Sequence, residues 1–500
     1  MKKFLYSTIL LSLAFSANAD TMTFEGGSDD RTQITGTNNT TDIILDSSKG
    51  TKYTSKDAVV KSITAINGDV SIANILSWNA NQGITVDINS ASEDVNAVTA
   101  GNWVHNLFTL TIKNSVANST ATANLSFNTL TLSSKNDQNA RLIFNGVNAN
   151  VTTVNATNIG EGIKAINYKS TLLVDANSTV VWNGDILNTV LGVMDIAGNY
   201  THNSKLTLEN GSHYNASGTI TQNGVFNAKS GANINITGKH TQKNSISWAK
   251  DANISITGEL AIDYANTTVI ASNFDLAGKI TQTSASGDNG IEFTGAVNLL
   301  SGSTLQAYGK ILLRAGASLT VNQGANLDIV IGPNPSPRII MHSSTLTFNE
   351  ENSLSFDGRD GALVTLTGKE NDILTSKVYF NASQKIYNIY VAPYSIIEIY
   401  LADNVDITLT APDINPLNGN GDFKIYNFQE DSIYVGFDGA LPSTAKDRVY
   451  LYDAENNFLG NAFVTDKGYL SLLQTVPEPA EWAMIFGALA LALAIYRKRK

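Results

Sequence analysis

The chain has no cysteine in 500 residues. Neither a disulfide framework nor a thiolate metal site can hold it together, so its fold must rest on packing and backbone hydrogen bonding. Proline is confined: all 9 lie at or after Pro333, and none precedes it. That suits a run of internal strands, in which every backbone N–H is needed by a ladder. Histidine is scarce. His105, His202, His213, His240 and His342 are the only 5, and none stand at a metal-ligand spacing such as His-x-x-x-His. There is no phosphate-binding loop, no nucleophile elbow and no basic patch interleaved with aromatics. The formal charge of −11 argues against nucleic acid and anionic membrane surfaces as partners.

What the chain does have is a period. Gly198, Gly218, Gly238, Gly258 and Gly278 stand at equal intervals. Four residues before each glycine stand Met194, Tyr214, Ile234, Ile254 and Phe274, and two before stand Ile196, Ala216, Ile236, Ile256 and Leu276. Two after stand Tyr200, Ile220, His240, Leu260 and Ile280. Polar residues alternate with them, the period-2 pattern of a half-buried strand. A fixed period of this length means one supersecondary unit that buries its apolar face by stacking on its copies. Thr201, Thr221, Thr241 and Thr281, with His202, Gln222, Gln242 and Gln282 beside them, are expected to form ladders of like residues about 4.8 Å apart.

A further strand is expected eight and ten positions after the glycine, at Leu206 and Leu208, Phe226 and Ala228, Ile246 and Trp248. Asn266 and Thr268 break this pattern after Gly258. Two or three short strands per coil of about 20 residues resembles the right-handed parallel β-helix of bacterial surface and autotransporter-type passengers; stacked antiparallel hairpins are the alternative that the period leaves open. His202, at the glutamine position, and His213, on a repeat turn, are read as surface or ladder residues. Tyr200 and His240 share a column with Ile and Leu and are read as packing residues.

The expected fold is all-β: a parallel β-helix, then a small antiparallel β-module and a single C-terminal transmembrane helix. The divisions run as follows: signal peptide, 1–19; irregular solenoid with an N-terminal cap, 20–190; regular repeats, 191–332; a proline-containing continuation, 333–412; the antiparallel module, 413–475; and a sorting segment, 476–500.

Both ends carry addresses. Lys2 and Lys3 precede an apolar stretch, and Ala17-Asn18-Ala19 is an A-x-A cleavage site that leaves Asp20 first. At the other end Pro477-Glu478-Pro479 stands just before a short, mostly apolar run from Trp482 to Tyr496, followed by Arg497-Lys498-Arg499-Lys500. The prolines keep the tripeptide extended, Trp482 and Tyr496 suit a membrane interface, and the cations mark a cytoplasmic end. Without Lys2, Lys3 and the four terminal cations, Lys+Arg falls from 33 to 27. Without Glu478 and Glu481, Asp+Glu falls from 44 to 42, leaving a body near −15.

This tail resembles the PEP-CTERM sorting signal, a Pro-Glu-Pro motif, a transmembrane helix and a basic end on an exported protein. The resemblance covers only the segment 476–500. It implies that an exosortase-type membrane protease or transpeptidase recognises Pro477, Glu478 and Pro479 as substrate, while residues 482–496 hold the chain transiently in the inner membrane. The implied destination is the cell surface or extracellular matrix of a Gram-negative bacterium. The long side of the rod is expected to offer contacts to extracellular polysaccharide or other cells, and no cofactor is expected.

The expected function is structural or adhesive; the alternative is a secreted β-helix polysaccharide lyase or hydrolase. Glycoside hydrolysis needs two carboxylates across the scissile bond. The galacturonase-type signatures (paired Asp after Gly, Gly-His-Gly, Arg-x-Lys) are missing. Asp29-Asp30 reads as part of a cap, and Asp357-Gly-Arg-Asp360-Gly and Gly287-Asp-Asn-Gly290 read as β-turns lacking the ligand count of a calcium loop.

Overall fold

The computed structural model describes the strand backbones at 21–25, 32–34, 42–46, 52–55, 62–66 and 71–72. It then describes residues 84–472, apart from 106–108, 133–139, 161–169, 190, 285–288, 331–337, 357–361, 412–416 and 437–446, and finally the helical residues Gly487, Ala488 and Arg497. The chain is all-β, a parallel β-solenoid of about 13 turns with almost no helix. It divides into two compact units, Met1–Ile340 with Ser353–Gly358, and Met341–Asn352 with Arg359–Lys500.

In the first unit each regular coil contributes one short strand to each of three faces. The coil around Gly198 shows the plan: Val193–Ile196 on the first face, Asn199–His202 on the second and Leu206–Leu208 on the third. Pairing between coils is parallel throughout this region, with Met194, Tyr214, Ile234, Ile254 and Phe274 in register. Parallel pairing excludes the stacked-hairpin alternative here. Alternate residues point inward because successive Cβ atoms leave opposite sides of a strand. His213–Ala216 and Asn233–Ile236 accordingly alternate between half-exposed and buried positions.

The glycine period has a steric cause. At the corner between the first and second faces, the glycine N–H bonds back to the preceding coil, as Gly218 N to Ile196 O at 3.0 Å and Gly238 N to Ala216 O at 3.0 Å. A Cβ on Gly238 would lie 2.3 Å from the carbonyl oxygens of both Gly218 and Ser217, and one on Gly258 would lie 2.1 Å from the Gly238 oxygen. Backbone oxygens cannot give way, so each corner excludes a side chain because the previous coil has the same corner. Gly302 differs: its φ is +81°, with nothing within 4 Å of a built Cβ, so backbone conformation alone selects glycine there.

The third face corrects one expectation. Its strand after Gly258 is Thr268–Ile270, with Val269 opposite Ser247 and Ile270 opposite Trp248. Two extra residues enter before this strand and two fewer follow it, so the next glycine keeps its place at Gly278. Nearer the N-terminus, Thr21–Glu25, Asp42–Asp46 and Ser62–Ile66 also pair in parallel, with Thr21 opposite Asp42 and Asp42 opposite Ser62. Further along the same segment the coil lengthens, with Leu110 opposite Ile84 and Leu142, and Leu172 opposite Leu142, so coil length is irregular where no rigid period was legible.

In the second unit Thr345–Phe348, Leu374–Phe380, Ser395–Leu401, Asp422–Tyr426 and Val449–Tyr452 pair successively in parallel. Among the described strands antiparallel pairing begins with Phe458–Val464, which lies against Val449–Tyr452 and pairs in turn with Leu470–Leu472. Within 413–475, then, the first described strands are parallel and the antiparallel part is confined to the closing strands.

The two kinds of glycine behave differently on substitution. Gly238→Asn is expected to lower the unfolding free energy by about 3 kcal/mol or more through overpacking against backbone. Gly302→Asn, at a site asparagine can adopt, is expected to lower it by less than about 1 kcal/mol. Urea denaturation followed by circular dichroism measures both.

Candidate functional site

The polar groups form two sets, one sealed inside the first unit and one arranged on outward faces. Inside, His240 occupies the column that Ile220 and Leu260 fill in adjacent coils. It is fully buried, with Phe226 stacked against it at 5.6 Å. The Tyr214 hydroxyl lies 3.1 Å from Nδ1, and Nε2 lies 3.3 Å from the Gln242 Oε1. The amide oxygen can only accept, so Nε2 carries the proton and Nδ1 accepts from Tyr214, giving a neutral imidazole. Gln242 Nε2 then donates to the Gly224 and Asn244 carbonyls at 2.9 and 3.1 Å. Burial pushes the His240 pKa down to about 4, opposed by the Gln242 hydrogen bond.

His202 is also fully buried, which corrects its reading as a surface residue. Its Nδ1 meets Gln222 Oε1 at 2.9 Å and its Nε2 meets the Gly184 carbonyl at 2.8 Å. Burial lowers its pKa, and the two acceptors and Asp185 oppose that. The expected register ladder is present, with Gln222 opposite Gln242, but the glutamines face inward. Gln222, Gln242 and Gln282 point inward, where Gln222 and Gln242 cap carbonyls of the tight turns; Gln222 Nε2 reaches Ser204 O at 2.7 Å.

The outward amide ladder lies one residue further along. Asn183 donates to Asn150 at 2.7 Å, Asn203 to Asn183 at 2.6 Å, and Asn223 to Asn203 at 2.6 Å. Thr201, Thr221 and Thr241 align beside it on the outer side of the second face. On the first face Asn215 donates to Asp195, and Asn298 to Asp275 at 2.7 Å.

The second unit carries a column the sequence reading missed. Tyr379, Tyr400, Tyr426 and Tyr452 stack on one outward face, with centroid separations of 4.6, 4.7 and 4.7 Å and interplanar angles of 12°, 9° and 22°. Phe458 continues it, 5.6 Å from Tyr452. Beside the tyrosines runs the register column Lys377, Glu398, Lys424, Tyr450. Glu398 pairs with Lys377 at 3.7 Å and accepts from the Tyr400 hydroxyl at 3.0 Å. Lys377 also sits 5.9 Å from the Tyr400 ring centre. Burial within the stack, then the nearby Glu398 carboxylate, raise the Tyr400 pKa and push that of Tyr426 up to about 12.

Carboxylates are dispersed. Lys113–Asp87, Lys239–Glu259 and Arg314–Glu292 each tie one coil to the next, at 3.1, 3.5 and 2.9 Å. Burial raises the Asp328 pKa, opposed by Lys279, but its register neighbours are Gln306 and Ser355. Neither of these register neighbours is an acid. Among the described residues no group of three or more His, Cys, Asp or Glu is set to hold a metal.

The residues expected to serve as addresses, Ala17, Ala19, Asp20, Pro477, Glu478, Pro479, Lys498, Arg499 and Lys500, lie outside the described residues, as do Asp29-Asp30, Asp288 and Asp357–Asp360. Arg497 is helical and exposed. Among the described residues no helix is long and apolar enough to cross a membrane. No protein-family model, curated protein or solved structure matches the chain.

The buried histidine gives the fold a pH dependence. An unfolded histidine protonates near 6.5 and native His240 near 4, so the unfolded state binds more protons between these values. Stability is full above pH 6.5 and is lost as pH falls toward 4, by on the order of 3 kcal/mol from this residue. Tyr214→Phe/His240→Leu removes both the imidazole and its hydroxyl partner. Between pH 7 and pH 4.5 the urea midpoint is expected to fall less in this variant than in the parent chain.

Proposed function

We propose that this is an exported structural or adhesive solenoid protein, carried to the cell surface or extracellular matrix of a Gram-negative bacterium by a PEP-CTERM-like tail. One combination supports the reading: an export signal and a sorting-type tail bracket a solenoid whose polar groups are engaged in coil-to-coil ladders. A scaffold of this kind works through geometry. Its apolar side chains are sealed inward, and its outer faces repeat a chosen side chain at the coil spacing, which gives many weak contacts in a line.

In this reading the prolines present Glu478 on an extended backbone just outside the membrane. An exosortase-type enzyme cleaves near the tripeptide and releases the body from residues 482–496. Further contacts, with extracellular polysaccharide or neighbouring cells, fall to the outward ladders.

The test is mass spectrometry of the surface-exposed protein with cell fractionation. A C-terminus ending near Pro479, and accumulation of a Glu478→Ala variant in the inner membrane with Lys500 intact, are expected. Intact Lys500 on the parent surface protein would reduce the tail to an ordinary anchor. Release of reducing or unsaturated sugar ends from a polysaccharide would replace the structural role with a hydrolase or lyase.

A further inference from the structure

The outward face that carries the tyrosine column is complementary to itself. The neighbouring column reads Lys377, Glu398, Lys424, Tyr450 over four successive strands. Consider a two-fold axis lying along the strand direction, midway between the strands of Glu398 and Lys424. It turns the stack end for end while keeping each column opposite its own copy. Glu398 then faces Lys424 of the second copy, Lys424 faces Glu398, and Lys377 faces the ring of Tyr450. Along the aromatic column Tyr400 meets Tyr426 and Tyr379 meets Tyr452. In these two columns every charge meets an opposite charge or a ring face, as a two-fold contact between identical patches requires, while in the third outward column Asp422 faces Ile396 of the copy. A two-fold running along the charged column itself would instead set Lys377 on Lys377 and Glu398 on Glu398. We infer that this face is a docking surface for a second copy of the chain, bound antiparallel in this register.

Two observations favour a second copy over a glycan. The tyrosine rings stack on one another at 4.6–4.7 Å, so their faces are largely covered and they offer edges and hydroxyls outward. Stacking against a sugar ring needs free aromatic faces. A surface repeating at the coil spacing is also matched without slip by another β-stack, whose spacing is the same about 4.8 Å. The acidic body makes copies repel in general, which leaves contact to a face with paired charges. Lys424 is suited to this role, because it makes none of the ion pairs found among the described residues.

The patch is small, roughly 400 Å² per copy from four strands and three outward positions, against about 800 Å² per side for a standard interface. One contact is therefore weak, and arrays of copies held on surfaces gain through multiplicity. Copies standing on one surface run in the same sense, so antiparallel pairing joins facing surfaces; this step alone rests on the surface-display reading.

Sedimentation equilibrium of the purified full chain in non-ionic detergent tests the pairing independently of sorting, since every variant keeps the same tail. Concentration-dependent dimerisation is expected. Glu398→Lys or Lys424→Glu alone should weaken it about tenfold or more, and Glu398→Lys/Lys424→Glu together should restore it to within about threefold. The rescue separates lost pairing from lost folding, as do unchanged thermal melts.

Because the chain has no native thiol, orientation can be read directly. In an equal mixture of Lys377→Cys and Tyr450→Cys chains, a short bismaleimide should yield mostly the mixed dimer. Single charge variants that associate like the parent, or mainly Lys377→Cys homodimers, would overturn the proposal. So would a chain that stays monomeric while Tyr400→Ala abolishes its retention on immobilised polysaccharide, which would make the strip a glycan site.

Discussion

The solenoid described above depends on parallel backbone pairing between successive coils. Once the strand of one coil bonds in register to that of the next, each side chain is placed about 4.8 Å from its counterpart above and below. A residue type that cannot tolerate its own copy at that distance is excluded, and one that benefits from it is multiplied. Asparagine and tyrosine benefit, through amide chains and ring stacking. Glycine at the corners is the extreme case, because there the previous coil's carbonyl occupies the position of the missing Cβ.

The same geometry explains why polar residues can enter the interior of the first unit. Gln222 and Gln242 reach carbonyls in the tight turns beside them, and His240 is held neutral between a hydroxyl donor and an amide acceptor. Buried polar groups are tolerated when their partners are fixed in advance, and the turn carbonyls of the solenoid are such partners. Trp182, Trp248 and Tyr200 meet a different condition: their large apolar bodies fill the core while the indole N–H groups and the phenol are left without protein partners.

Much of the regular region was legible in the sequence because one steric constraint recurs at fixed spacing. The columns through Tyr214, Ile236 and Ile220 could be read directly against the glycines. The orientation of the glutamines was also available, since alternation from buried Ile220 makes Thr221 face out and Gln222 face in. A repeated amide suggested an outer ladder and obscured this. Two features were out of reach. The strand Thr268–Ile270 is displaced by an insertion that is recovered before Phe274, so only the pairing reveals it. The tyrosines at 379, 400, 426 and 452 fall at unequal intervals because coil length varies there, and an uneven interval has no period to detect.

The unit-by-unit pairing also bears on how such a chain acquires its structure. In the regular coils each strand bonds to the strands one coil earlier and one coil later, so every contact is closed over a short loop. No coil has to wait for a distant segment. A chain delivered N-terminus first through a narrow passage can therefore fold progressively, each finished coil offering an edge on which the next is laid down. Advancing structure of this kind would also resist backsliding, which turns local pairing into a ratchet for movement in one direction.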